Sequence, residues 1–316
     1  MPAQRADYGA FSFEEAIVLV KMSTHKQGFT CSYLVRLERY PIMNIIDAII
    51  LGILQGITEF LPVSSSGHLV VAQHFLKYQP DEHLLFDVIL HLGTLVAVVL
   101  VYRHSLGNYI RSSIQMLKKS ERSMWERASE DVFMREIFWI LVATVPTGLI
   151  GIFFRKEFKK IFSSLPAVGV LFAFTGCLLL VTYWRSGGER PISELGWWRA
   201  LLIGVAQGVA IAPGISRSGM TIAMALLIGM RRDDAARYSF LLSIPAISGA
   251  ALLELRKVQW AHMPYVSLLI GGVAAAVTGY LALIFLLRLV RKGQLAWFAP
   301  YLWVLAAAIL YKSFAG

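Results

Sequence analysis

The chain has 316 residues, of which 57% are apolar and 16% charged, with a mean hydropathy of +0.61. That balance excludes an ordinary soluble domain, which would have to hide a series of long apolar runs from water, and points to a polytopic helical membrane protein. The net charge of +10 gives no argument for nucleic acid, because in a membrane protein excess Lys and Arg mark cytoplasmic loops and anionic headgroups. Of the two cysteines, Cys31 lies in the N-terminal stretch and Cys177 inside an apolar run, so neither a disulfide nor a thiolate metal site is suggested.

Residues 1–42 stand apart. They carry five Lys/Arg against four Asp/Glu and only short apolar bursts, without the charged n-region and long h-region of a signal peptide. Regular apolar periodicity begins at Met43, which has the character of a natural start. Residues 1–42 then read as a disordered upstream extension, or as an amphipathic segment around 11–22 lying on the membrane surface.

Apolar runs follow at about 44–63, 66–76, 84–102, 137–154, 166–184, 198–214, 217–230, 238–254, 264–287 and 297–313. A spanning helix needs about 20 apolar residues, which the runs at 84–102, 137–154, 166–184, 264–287 and 297–313 approach or meet. The pairs 44–63 with 66–76 and 198–214 with 217–230 are instead two pieces broken by Pro, Gly and Ser. Broken helices at membrane depth persist only where the freed backbone faces protein or a water-filled cavity, so each pair reads as a re-entrant hairpin. The stretch 103–136 carries seven Lys/Arg and reads as cytoplasmic. The basic run RKEFKK at 155–160 should lie on the opposite side, so the charge rule conflicts with itself.

The two broken segments are copies. Residues 52–67 read GILQGITEFLPVSSSG and residues 204–219 read GVAQGVAIAPGISRSG, with six of 16 positions identical at an offset of 152. The identities are Gly52/Gly204, Gln55/Gln207, Gly56/Gly208, Ser64/Ser216, Ser66/Ser218 and Gly67/Gly219. Glu59 faces Ile211, Ser65 faces Arg217, and His68 faces Met220. Paired Gly/Pro-interrupted segments in two halves, about 43–160 and 195–316, point to a site at a repeat interface. An odd number of spans between them would make the repeats inverted.

Gln55 and Glu59 share a helix face at i, i+4. A carboxylate within a membrane helix marks function by default, the alternative being a structural partner such as an Arg. Pro62 ends that helix, and Ser64, Ser65 and Ser66 are N-cap candidates for the next. Backbone N–H groups at that start, with Gly67 allowing close approach, form an anion site, although the serines could serve as caps alone. The second copy repeats the caps with Ser216, Ser218 and Gly219 and adds Arg217, which could pair with Glu59 or hold a phosphate in two-pronged fashion. His68 could act as base, acid or nucleophile, or only pack. Asp87 and His91, again i, i+4, read as support or proton handling. Arg237 and Tyr238 could line a substrate entry, or face headgroups.

QGITEFLPVSSSGH and PGISRSG, in this order and spacing, resemble the two signature motifs of the undecaprenyl-diphosphate phosphatase family, also called bacitracin-resistance proteins. FDVILHLGTLVAV at 86–98 and FLLSIPAISGA at 240–250 resemble it as well, from Met43 to near the C-terminus. The resemblance implies hydrolysis of undecaprenyl diphosphate to the monophosphate, recycling the carrier lipid for peptidoglycan synthesis in the bacterial inner membrane, with the site open to the periplasmic face. It maps the acidic motif onto Gln55 and Glu59, the first serine motif onto Pro62, Ser64, Ser65, Gly67 and His68, and the second onto Pro213, Gly214, Ser216, Arg217, Ser218 and Gly219. Gln55 where the family also uses Glu weakens any mechanism needing two carboxylates on one metal. On this reading Arg217 and the helix N-termini hold the diphosphate, Ser65 attacks, and His68 or Glu59 takes its proton. His68 or water as nucleophile remains the rival. A divalent cation such as Mg²⁺ or Ca²⁺ could sit on Glu59, no organic cofactor is expected, and a homodimer stays open. A lipid-phosphate flippase would need the same anion pocket without Ser65 and His68 beside a carboxylate.

Overall fold

The computed structural model describes residues 18–21, 32–35, 44–76, 84–118, 123–184, 187–256 and 264–315. The chain divides into two compact units, Met1–Ile42 and Met43–Gly316. In the first, β1 (Val18–Lys21) and β2 (Ser32–Val35) pair antiparallel, with Val18 opposite Val35. The residue pattern of 1–42 carries no signal for this pairing. Cys31 lies outside the described residues.

The second unit is helical. It opens with α1 (Ile45–Phe60), α2 (Ser65–Phe75), α3 (Leu84–Val101), α4 (Arg103–Leu117), α5 (Met124–Glu130), α6 (Val132–Phe153) and α7 (Arg155–Phe162). It continues with α8 (Leu165–Trp184), α9 (Trp197–Val209), α10 (Arg217–Leu227), α11 (Arg232–Leu255), α12 (Tyr265–Arg291) and α13 (Ala299–Ala315). Five helical stretches are long and apolar enough to cross a membrane: α6, α8, α11, α12, and α13 with the short turn before it. At 18 residues α3 is about 27 Å long at 1.5 Å per residue, close to the hydrocarbon thickness. It meets α4 at a 77° bend. Of α4, only Tyr109 and Ser112 are buried, so this polar helix turns aside rather than extending the span. The run at 238–254 belongs to a longer helix. The helix in fact starts at Arg232, where polar residues hide the pattern.

Contacts fix the directions. Ala48 and Gly52 of α1 meet Gly271 of α12, Gly56 meets Ala275, and Phe60 meets Gly279. The helices therefore run parallel, and the end of α1 lies at the middle of α12. In α3, Phe86 meets Gly271 and Thr94 meets Gly279, so α3 runs the same way. The start of α11 meets the end of α12 through Arg291 Nε to Asp233 at 2.6 Å. The start of α6 meets the start of α11 through Arg237 to Glu136, also 2.6 Å. Thus α6 and α11 run opposite to α12. In α9, Gly204 meets Ala143 and Gly208 meets Ile150, so α9 follows α6 and enters from the face opposite to α1. Three spans, α3, α6 and α8, lie between the copies. The repeats are inverted, and each half-length helix lies on a full-length helix of the other repeat.

Small residues permit this packing, as is usual where helices associate without a hydrophobic driving force. A Cβ on Gly52 would lie 2.5 Å from the Gly271 carbonyl, and one on Gly204 would lie 2.6 Å from the Pro146 ring. Both copies carry this Gly-x-x-x-Gly pair. Large apolar side chains such as Leu149, Ile152, Val273 and Leu281 face outward, as lipid contact requires.

Candidate active site

Each hairpin brings its break to mid-depth. Leu61 ends α1 because Pro62 follows it. Ser64 then caps α2, its Oγ accepting from the Gly67 N–H at 3.3 Å. Ser64 has φ 68°, and it is the one non-Gly residue in the left-handed region among the described residues. Such a conformation costs on the order of 1–3 kcal/mol and persists only where its surroundings enforce it. The enforcing contact comes from the other repeat: Ser64 Oγ also accepts from the Gly214 N–H at 3.0 Å. In the second break Ser216 caps α10, accepting from Gly219 N–H at 3.1 Å, and its Oγ lies 3.2 Å from Ser218 Oγ. Ser218 donates back to the Leu61 carbonyl at 3.4 Å. Gly67 and Gly219 lie at the crossing, since a Cβ on Gly67 would stand 2.8 Å from the Gly214 nitrogen and one on Gly219 3.2 Å from Pro62 Cβ. The expected convergence of the two helix starts is therefore present at backbone contact.

Glu59 is the hub. Arg217 Nη2 donates to its Oε1 at 2.5 Å. Gln55 Nε2 donates to Oε2 at 2.9 Å, and Ser65 Oγ donates to the same oxygen. His91 Nε2 lies 3.6 Å from it. The Glu59 side chain is 4% exposed and that of Arg217 17%. The pairing Arg217 would make with Glu59 is thus present, and it leaves capacity over. Arg217 Nη1 and Gln55 Oε1 are buried polar atoms with no hydrogen-bond partner among the described residues. One is a cationic donor and the other a neutral acceptor, both beside the Ser65 hydroxyl's partner.

His68 is turned elsewhere. Its Nδ1 lies 2.8 Å from the Ser64 carbonyl and its Nε2 2.7 Å from the Tyr301 hydroxyl. Of the two groups read as acceptors for the Ser65 proton, Glu59 is the one that receives its hydrogen bond. Ser66 contributes only a 3.5 Å contact to Ser64.

Two participants carry no motif. Thr175 of α8 donates to the Gly214 carbonyl at 2.9 Å and accepts from the Ser216 N–H at 3.3 Å, so it holds the second break open on its far side. A hydroxyl within the run 166–184 was its one available signal. Tyr301 had none. His91 takes the supporting place its spacing suggested, with Nδ1 on the Asp87 carbonyl at 2.7 Å, while Asp87 accepts from Gln73 at 2.8 Å.

Arg237 and Tyr238 do not line an entry to this site. Arg237 pairs with Glu136 and with Asp234, and Tyr238 is fully buried and donates to the Trp139 carbonyl at 2.6 Å. With Tyr109, which donates to Glu136 at 2.7 Å, they tie α4, α6 and α11 together at one end of the bundle.

No group of three or more His, Cys, Asp or Glu suited to a metal occurs among the described residues. Glu59 and the unpartnered Gln55 Oε1 are hard oxygen donors on one helix face, which suits Mg²⁺ or Ca²⁺ where substrate oxygens complete the shell.

Residues 48–308 match the model of the family described as bacitracin resistance protein BacA. The chain belongs to this family. It is 44% identical over 276 residues to the undecaprenyl-diphosphatase of Desulfatibacillum aliphaticivorans, covering 86% of this chain and 100% of that protein. It is 41% identical to the enzyme of that name from Carboxydothermus hydrogenoformans, over 87% of this chain and 99% of the relative. The undecaprenyl-diphosphatase of Korarchaeum cryptofilum is 42% identical, over 85% and 99% respectively. In this BacA-family chain the two signature segments are the two breaks that meet at Glu59.

Proposed function

We propose that this protein hydrolyses undecaprenyl diphosphate to undecaprenyl phosphate and phosphate. The observation that carries the reading is the joint of Arg217, Glu59 and Ser65, a cation, a carboxylate and a hydroxyl drawn from both repeats at mid-depth of the bundle. A polar head on an apolar chain matches a polar joint within an apolar surround.

The reaction follows from the hydrogen bonds. Arg217 Nη1 takes a phosphoryl oxygen, and the exposed edge of charge on the diphosphate is neutralised by the guanidinium and the paired helix starts. Ser65 Oγ attacks the terminal phosphorus, its proton passing to Glu59 Oε2. The Ser–O–P bond forms as the P–O bond to undecaprenyl phosphate breaks. Water then attacks the phosphoserine, phosphate leaves, and the hydroxyl is restored. Gln55 holds the Glu59 carboxylate in the orientation that accepts from Ser65. A divalent cation on Glu59 and Gln55 Oε1 would add charge neutralisation.

Charge supports an orientation. Among the described residues outside the site, the end where α12 begins carries six Lys/Arg: Arg155, Lys156, Lys159, Lys160, Arg256 and Lys312. The other end carries thirteen, on α4 to α6, on the segments around α9 and α11, and at the end of α12. By the positive-inside rule the second end is cytoplasmic, and RKEFKK is outvoted rather than decisive. The Arg237–Glu136–Tyr109 ties stand at that cytoplasmic end, which favours access from the outer face of the cell membrane.

Purified protein in detergent is expected to release phosphate from undecaprenyl diphosphate, and mass spectrometry after a rapid quench is expected to find phosphate on Ser65. Movement of labelled lipid across liposomes with no phosphate released would assign the inverted repeats to transport instead.

A further inference from the structure

We propose that Tyr301 is a positioning residue for His68, fixing its tautomer and ring plane from the opposite end of the chain. The proposal rests on reading His68 as the second proton-handling group of the site, which supports the leaving group or orients water while Glu59 takes the Ser65 proton. The Ser64 carbonyl can only accept a hydrogen bond, so the 2.8 Å contact requires the proton on His68 Nδ1. In the neutral ring Nε2 is then the basic atom, and it accepts from Tyr301 Oη at 2.7 Å. If Nε2 gains a proton, the same hydroxyl turns from donor to acceptor without moving. Tyr301 therefore matches both states of the imidazole.

The ring plane is set as firmly. The Tyr301 and His68 rings lie edge to edge and nearly coplanar, with centroids 5.8 Å apart and 7° between planes, and Phe172 packs edge-on against His68 at 5.1 Å and 78°. The His68 side chain is buried and held by Ser64, Tyr301 and Phe172, while Tyr301 is 48% exposed. Nε2 and the tyrosine hydroxyl form a short polar line from the hairpin junction toward the outside of α13. The hydroxyl is not required for packing in the core, because half of the tyrosine already lies outside it. Its one hydrogen bond is spent on the histidine nitrogen that would handle a proton.

Tyr301→Phe keeps the ring in place and removes only the hydroxyl. Phosphate release is expected to show kcat reduced about tenfold, the scale of one lost neutral hydrogen bond, with KM for the lipid diphosphate and the melting temperature unchanged. Tyr311→Phe, on the same helix and 77% exposed, serves as the control and is expected to behave as the unaltered protein. In a His68→Ala background, Tyr301→Phe is expected to cause no further fall, because the hydroxyl then has nothing to position. A Tyr301→Phe enzyme with unaltered kcat beside an inactive His68→Ala enzyme would overturn this proposal alone. A second tenfold loss in the His68→Ala background would overturn it too, by showing a general structural role. A fully active His68→Ala enzyme would overturn the reading of His68 itself.

Discussion

Gly67→Ala tests the meeting of the two breaks at its narrowest point. The added methyl would stand 2.6 Å from the Phe172 ring edge, 2.8 Å from the Gly214 nitrogen and 3.0 Å from its Cα. The phenyl ring can turn away, but the Gly214 backbone cannot. It is tied through its N–H to Ser64 and through its carbonyl to Thr175. Overpacking of this kind costs about 1–3 kcal/mol. Relief comes only by separating the hairpins, which lengthens Arg217 to Glu59. A displacement near 1 Å in a catalytic constellation costs about a hundredfold in rate. Gly148→Ala is the matched control: its Cβ would meet nothing within 4 Å, and alanine improves a helix interior by up to about 1 kcal/mol. Thermal unfolding in detergent and phosphate release on the same preparations provide the assay. Gly67→Ala is expected to melt lower by several degrees and to lose most activity, while Gly148→Ala retains both. A Gly67→Ala protein as stable and active as its parent would refute the backbone contact between the repeats.

Other substitutions separate the contributions. Arg217→Lys keeps the charge but loses the two-pronged head, so phosphate release is expected to fall about a hundredfold, with substrate binding weakened. Thr175→Val leaves the buried Gly214 carbonyl and Ser216 N–H without their side-chain partner; chemical or thermal unfolding is expected to show a loss of about 1–3 kcal/mol. Glu136→Ala leaves Arg237 with Asp234 alone and the Tyr109 hydroxyl without its acceptor, and is expected to lower stability by about 1–3 kcal/mol while KM of the folded enzyme is unchanged, since these ties lie away from the hairpin junction.

The sequence was most legible where the chemistry is costly in a membrane. Glu59 and Arg217 sit beside helix breaks in an apolar run, a placement with few purposes, and both are at the hub. The Gly, Pro and Ser punctuation located both breaks because caps and helix ends are local properties. Inversion was legible in principle, since it depends only on the parity of spans. Partners distant in sequence were legible only where the repeat pointed to them, as for Arg217 and Glu59. Arg237 read as an entry residue or a headgroup contact because Glu136, with which it pairs, lies 101 residues upstream. Tyr301 is 233 residues from His68 and lies in an unremarkable apolar run. The apolar run 84–102 stops at the bend between α3 and α4, but the stretch 103–136, read as a loop, carried no long apolar run to mark the polar helix α4. Which group accepts the Ser65 proton was undecided for a similar reason: residues 59 and 68 are both near residue 65 in sequence, and only the fold turns His68 away.

Single-turnover phosphate release from undecaprenyl diphosphate by the purified Glu59→Gln protein tests the account most directly. The amide preserves size and hydrogen-bonding shape but can neither take the Ser65 proton nor hold the Arg217 charge. The account predicts a folded protein whose rate falls by about a thousandfold or more, with no phosphate trapped on Ser65. A Glu59→Gln protein that turns over at the parental rate would contradict it.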